Sequence, residues 1–230
     1  MNIQHFHGVP PLYTNTFLII TNAKHGIIID AAAEPETYLK ALDEAGATLT
    51  HILQTHGHFD HVGAVASLKK ATGCKVYMDK IDAEGSQLLP LTSDVITDEW
   101  PANGELVIDE LPFKIYRTPG HTKGGVCLSC YGLLFSGDTL FAGSCGRTDF
   151  AGGSMHSLLN DTVTLLVAPL AMFARLKARS ACDGPSLSPG RRRYTCTTSS
   201  PSYSPTLLTG MVRMVCSPSF TSCVFNEASP

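Results

Sequence analysis

Thr55-His56-Gly57-His58-Phe59-Asp60-His61 crowds three imidazoles and a carboxylate into six positions, 56 to 61. Leu49 to Gln54, which leads into it, reads as a short apolar strand, and Val62 to Ala71, which follows, as a helix. The cluster therefore lies where a strand ends and a helix begins. Imidazole and carboxylate are ligands that zinc, iron and manganese all accept. His56 and His58, two apart on extended backbone, project to the same side and can hold one ion. Asp60 and His61, where the chain turns into the helix, can reach a neighbouring ion. A polar surface turn is the competing reading, and it does not account for so dense a set of ligands.

Two further segments supply the same chemistry. Thr118-Pro119-Gly120-His121 places a histidine in a sharp turn after the strand Phe113 to Arg117. Phe135-Ser136-Gly137-Asp138 ends the strand Leu133 to Ser136 with a carboxylate beside a glycine. Alone, His121 is an ordinary surface histidine and Asp138 an ordinary turn former. Together with the first cluster they give ligands at several strand ends, the usual way in which α/β sheets assemble a site.

The rest of the chain supplies a scaffold for such strand ends. Thr14 to Thr21 and Gly26 to Asp30 read as a hairpin, Glu34 to Ala45 as a helix with Pro35 near its start, and Lys75 to Met78 as a strand. Glu105 to Ile108 and Gly125 to Tyr131 read as further strands, and Met155 to Val167 as a helix. The alternation of hairpins, strands and helices predicts an α/β fold of sheets sandwiched between helices. Cys127 and Cys130 form a C-x-x-C inside a strand, where positions three apart face opposite sides, so small buried thiols are expected there rather than a metal knuckle.

Composition excludes several classes. A net charge of −3 offers no electrostatic basis for a nucleic-acid partner. Arg191-Arg192-Arg193, without interleaved aromatics, reads as a solvated basic run. No segment has the length of a membrane span, and Phe17-Leu18-Ile19-Ile20 is too short and lacks the basic flank of a signal peptide. The expectation is a cytoplasmic protein with no membrane partner.

H-x-H-x-D-H, then P-G-H-T, then S-G-D, resembles the metallo-β-lactamase superfamily over about residues 1 to 167, Thr14-Asn15-Thr16 included. Gly143-Ser144-Cys145-Gly146-Arg147-Thr148-Asp149-Phe150 and Gly152-Gly153-Ser154 are similar to its short glyoxalase II-like (hydroxyacylglutathione hydrolase-like) branch. The resemblance implies an αββα sandwich with His56, His58 and His121 on one metal, Asp60 and His61 on a second, and Asp138 bridging both. It implies two zinc ions, with iron or manganese as alternatives, and hydrolysis of a small-molecule thioester such as an S-acylglutathione by metal-activated water. Asp60 is then both ligand and catalytic residue, and Arg147 a cationic contact for an acidic substrate, unless it only fixes its loop through Asp149. An aspartate at 138 argues against an antibiotic-hydrolysing β-lactamase, for which the resemblance implies a cysteine. The same Cys-Gly-Arg-Thr-Asp-Phe stretch is similar to a persulfide dioxygenase branch, which implies one iron on His56, His121 and Asp138.

The chain departs from that pattern late. The resemblance implies a last ligand in a Gly-His-Gly motif, yet none of the nine histidines lies beyond His156. The absence coincides with a change of character: residues 168–230 are rich in Ser, Thr, Pro and Arg. They hold seven basic against two acidic residues, after ten against eighteen in residues 1–167. A metal-binding domain over 1–167 and an atypical, disordered or frameshifted tail over 168–230 are expected. The sandwich is then incomplete at its C-terminal side, the second metal site weak, and an inactive member of the fold the third reading.

Overall fold

The computed structural model describes residues 2–141 and 144–159, together with two strands at 213–216 and 223–226. The first sheet holds β1 (Asn2–His7), β2 (Asn15–Ile20), β3 (His25–Ile29), β4 (Thr48–Leu53) and β5 (Lys75–Tyr77), in that spatial order. β1, β2 and β3 are antiparallel neighbours, whereas β3, β4 and β5 run parallel. Parallel neighbours need a crossover. It is supplied by helix α1 (Pro35–Ala45) between β3 and β4, and by α2 (Phe59–Val62) with α3 (Val65–Thr72) between β4 and β5.

Both faces of the sheet's inner strands are covered, which explains the near-continuous apolar runs of β2 and β3. Leu18, Ile20, Ile28, Ile52 and Val76 face a core shared with Tyr38 and Leu42 of α1 and Val65 and Leu68 of α3. Their neighbours Ile19, Ile27, Ile29, Leu53 and Tyr77 face the opposite way, into a second core. Successive side chains thus enter alternate cores, as the pleat requires.

The second core is closed by the other sheet. β6 (Glu105–Ile108), β7 (Leu111–Arg117), β8 (Val126–Cys130) and β9 (Leu133–Phe135) form an antiparallel meander. It presents Leu111, Phe113, Ile115, Val126, Leu128 and Phe135 to the first sheet. After β9 come a small hairpin, β10 (Leu140–Phe141) with β11 (Ser144–Cys145), and a short helix, α4 (Met155–Ser157). In the tail region β12 (Arg213–Cys216) pairs with β13 (Cys223–Asn226), and β13 pairs antiparallel with β9, extending this sheet. The architecture is the expected α/β sandwich, and its first helical layer is in place.

Three expectations change in detail. The helix expected from Val62 to Ala71 is two: α2 starts within the histidine cluster, and the chain re-forms as α3 after Gly63, with Ala64 in the N-cap position at φ −94° and ψ −8°. Gly63 keeps helical dihedrals, and the break comes at Ala64, whose N–H bonds to the Ala31 carbonyl at 2.9 Å instead of continuing the helix. The strand β1 was not expected. It is a half-exposed edge whose polar His5 and His7 hide any strand signal. The helix expected over Met155 to Val167 is seen in its first turn, with Ser154 Oγ accepting from Ser157 N, and its remainder lies outside the described residues. Cys127 and Cys130 are buried free thiols, as expected. Cys130 joins the inter-sheet core, while Cys127 lies against Thr118 and donates to the Ser136 carbonyl.

Candidate metal centre

The ligand-type side chains gather at one rim of the sandwich. His56 and His58 follow β4, Asp60 and His61 open α2, His121 lies in the loop between β7 and β8, and Asp138 follows β9. The four imidazoles are buried, and the carboxylates stand nearer the mouth, with Asp60 17% and Asp138 16% exposed. Gly137, which delivers Asp138, has φ +48°, and a Cβ there would run into the Thr55 side chain. That is a backbone state and a close approach that glycine alone tolerates without strain.

Hydrogen bonds outside the cluster decide where the imidazole lone pairs point. His121 Nδ1 lies 2.7 Å from the Arg147 carbonyl oxygen, so Nδ1 carries the proton and Nε2 the lone pair. Thr55 Oγ1 spends its hydrogen on Asp30 Oδ2, 2.7 Å away, so at 3.1 Å it accepts from His56 Nδ1 and leaves the His56 Nε2 lone pair free. Both lone pairs are aimed at His58 Nδ1, at 3.1 Å from His56 and 2.8 Å from His121. His58 Nδ1 carries at most one proton, which cannot serve both neighbours.

A second conflict lies beside the first. His61 Nδ1 donates to Asp30 Oδ2 at 2.9 Å, which turns the His61 Nε2 lone pair toward Asp138 Oδ1 at 3.2 Å. Both atoms are buried and lack a hydrogen-bond partner among the described residues. Buried polar atoms left unpaired are costly, and two acceptors facing each other are worse. A metal ion resolves both conflicts, and a second proton on His61 also resolves the second. The residues accordingly form two metal-type groups, His56, His58 and His121, and His56, His61 and Asp138, with the ligand atoms of each within 4.8 Å of one another.

The electrostatics agree. Burial and the neighbouring imidazoles push His56 well below 6.5 and His58 down to about 4, so both are neutral, the form that binds metal. Burial opposes charge on His61 as well, but the carboxylates of Asp138 and Asp30 outweigh it and raise the pKa well above 6.5. A proton or a metal ion answers the same excess of negative charge.

All six expected ligands are thus neighbours. His58 and His121 stand together with His56, and Asp138 spans the groups, with Oδ2 3.5 Å from His121 Nε2 and Oδ1 near His61. Asp60 stands beside the second group rather than within it, with Oδ2 3.7 Å from His61 Nε2 and accepting from Thr14 Oγ1 at 2.7 Å. Arg147 holds Asp149 through both Nε and one terminal nitrogen, at 2.7 and 2.6 Å, and lies over the Phe150 ring.

Asp30 was missed in the sequence. It ends the Ile27-Ile28-Ile29 run, is 3% exposed, and accepts from Thr55 N, Thr55 Oγ1 and His61 Nδ1. Its φ of +52° is rare outside glycine, asparagine and aspartate. A carboxylate closing an otherwise apolar buried strand was the available signal.

The model of the metallo-beta-lactamase superfamily matches residues 9–181. Hydroxyacylglutathione hydrolase GloC of Haemophilus influenzae is 32% identical over 73% of this chain and 85% of its own length. A hydroxyacylglutathione hydrolase of Albidiferax ferrireducens is 33% identical over 69% of this chain, which spans only 60% of that longer protein. Among solved structures, the BLEG-1 B3 metallo-beta-lactamase superposes with a TM-score of 0.65 at 28% identity, covering 74% of this chain and 87% of that one. ETHE1 from Myxococcus xanthus superposes with a TM-score of 0.60 at 26% identity, covering 73% and 71%.

Asp30→Asn preserves the backbone state but weakens the acceptor that fixes His61. Zinc affinity, measured by competition with a chromophoric chelator, is expected to fall about 10- to 100-fold. Unchanged affinity would show that Asp30 does not orient His61 for metal.

Proposed function

The chain belongs to the metallo-β-lactamase superfamily, and we propose that within it the protein is a metal-dependent hydrolase of thioesters of the S-acylglutathione type. The observation that carries the reading is the convergence of the His56, His58 and His121 nitrogens beside the partly exposed Asp138 and Asp60 carboxylates. The names of the curated relatives support the thioester. Divalent ions bound in such a site lower the pKa of a coordinated water toward neutrality and polarise a carbonyl.

The chain's own residues divide the remaining work. His56, His58 and His121 would hold the first ion, and His61 and Asp138, with Asp60 beside them, would hold the second, His56 lying within reach of both groups. Asp60, which accepts from the Thr14 hydroxyl, would accept a hydrogen bond from the attacking water. Zinc suits this donor set, and iron or manganese accept it. No histidine follows His156 in the sequence, so the second ion would have the poorer protein shell and would bind more weakly.

The persulfide dioxygenase reading uses His56, His121 and Asp138 for a single iron and draws on the approach of His121 Nε2 to Asp138 Oδ2 at 3.5 Å. Oxygen consumption with a persulfide by the iron-loaded protein distinguishes it from thioester hydrolysis. Among the described residues no helix is long and apolar enough to cross a membrane.

The full chain loaded with zinc should hydrolyse an S-acylglutathione, followed by thiol release. His58→Ala or Asp60→Ala should cut the rate by orders of magnitude while the circular dichroism spectrum is retained. Full activity in either variant removes the mechanism, and turnover of a β-lactam in preference to the thioester overturns the substrate class.

Arg147 separates two roles. If its cation attracts the carboxylates of a glutathione-type substrate, Arg147→Ala raises KM for acidic thioesters more than for neutral esters. An equal effect on both assigns it to its loop, through Asp149 and Phe150.

A further inference from the structure

The three-histidine group is carried by two loops from different sheets: His56 and His58 follow β4, and His121 follows β7. The positions of these loops relative to each other fix the distances among the three ligand nitrogens. One backbone bond crosses between the sheets beside them, from Val126 N to the Thr55 carbonyl at 2.8 Å. A second connection is made by a side chain that lies in neither loop.

Asp82 ends a 3-10 turn, Lys80–Asp82, and is 1% exposed. Its Oδ2 accepts from Gly57 N at 3.3 Å, between His56 and His58. The same oxygen accepts from Thr122 Oγ1 at 2.7 Å, and Oδ1 accepts from Gly124 N at 2.9 Å, both just after His121. Both carboxylate oxygens are therefore occupied by donors. The fit is close on each side. A Cβ at Gly57 would run into the Asp82 backbone, and one at Gly124 would lie 2.8 Å from Asp79 Cβ and 2.9 Å from Asp82 Cγ. The turn is itself anchored. Asp79 Oδ1 caps it by accepting from Ile81 N at 3.1 Å, and Asp79 Oδ2 accepts from Arg117 at the end of β7 at 2.8 Å.

We propose that Asp82 is a positioning residue that clamps the two histidine loops at the separation metal binding requires. The inference rests on the metal-centre reading of the preceding subsection. The bonds to Thr122 Oγ1 and Gly124 N are short and the one to Gly57 N is longer, and one buried carboxylate spanning both loops restricts their relative motion. Loss of the clamp leaves the histidines present but no longer preorganised.

The test is a titration of cobalt(II) chloride into the full chain and into Asp82→Ala, read by the visible absorption of the bound ion, with circular dichroism as the control for folding. Wild-type protein that shows no such absorption fails the metal-centre reading itself. Given wild-type binding, Asp82→Ala is expected to remain folded, to bind cobalt about 10- to 100-fold more weakly, and to show an altered band shape. A folded Asp82→Ala with wild-type affinity and band shape overturns the proposal while leaving the metal centre intact, because a role confined to stability lowers the melting temperature without changing either. Should Asp82→Ala not fold, Thr122→Val decides: it removes one bond to Oδ2 at nearly constant volume. Weakened cobalt binding in that variant supports the clamp, and unchanged binding overturns it.

Discussion

Lone pairs buried without protons to share are the constraint on which this structure turns. His56 and His121 both aim an unprotonated nitrogen at His58 Nδ1, and His61 Nε2 faces a carboxylate oxygen. The first arrangement is not satisfied by hydrogen bonding alone, and the second needs either a metal ion or a second proton on His61. Each becomes favourable when a divalent cation takes the place of the missing protons, and the depressed pKa values of His56 and His58 show that protons are poor substitutes there. The fold holds donors together that would otherwise separate into water, and the stability of the sandwich opposes that separation.

The sandwich achieves this through groups that do not touch the ion. Strand ends from both sheets carry ligands, so the inter-sheet core of Ile27, Leu53, Phe113 and Leu128 fixes the overall distance between them. Finer adjustment comes from the polar layer behind the histidines. Asp30 sets the tautomer of His61 and, through Thr55, that of His56. The Arg147 carbonyl does the same for His121. Outer partners of this kind fix ring orientation and raise ligand basicity, and they matter to affinity almost as much as the ligands do.

What was legible in the sequence follows from range. The His56 to His61 cluster is local, so its chemistry is visible without a fold. The strands β2 and β3 are apolar on both faces and could be read from their runs, and α1 starts at Pro35 as expected. Asp30 and Asp82 were not legible as parts of the site, because each looks like an ordinary turn carboxylate until residues 25 or more positions away are brought to it. The same is true of Thr14, whose bond to Asp60 spans 46 positions. The division of the helix after the cluster turned on a long-range bond from Ala64 N to the Ala31 carbonyl, and β1 on an edge with little hydrophobic signal. The metal grouping was partly legible: the His56, His58 and His121 set was expected from resemblance, but the sharing of His56 with His61 and Asp138 depends on ring orientations that spacing does not encode.

The central claim is that this buried cluster is a metal centre, and the most direct measurement is the metal content of the full chain after exhaustive dialysis against metal-free buffer. The account predicts at least one transition-metal ion retained per chain, and its loss in a folded His58→Ala variant. A folded wild-type chain that retains none, or a His58→Ala variant that retains as much as wild type, would contradict it.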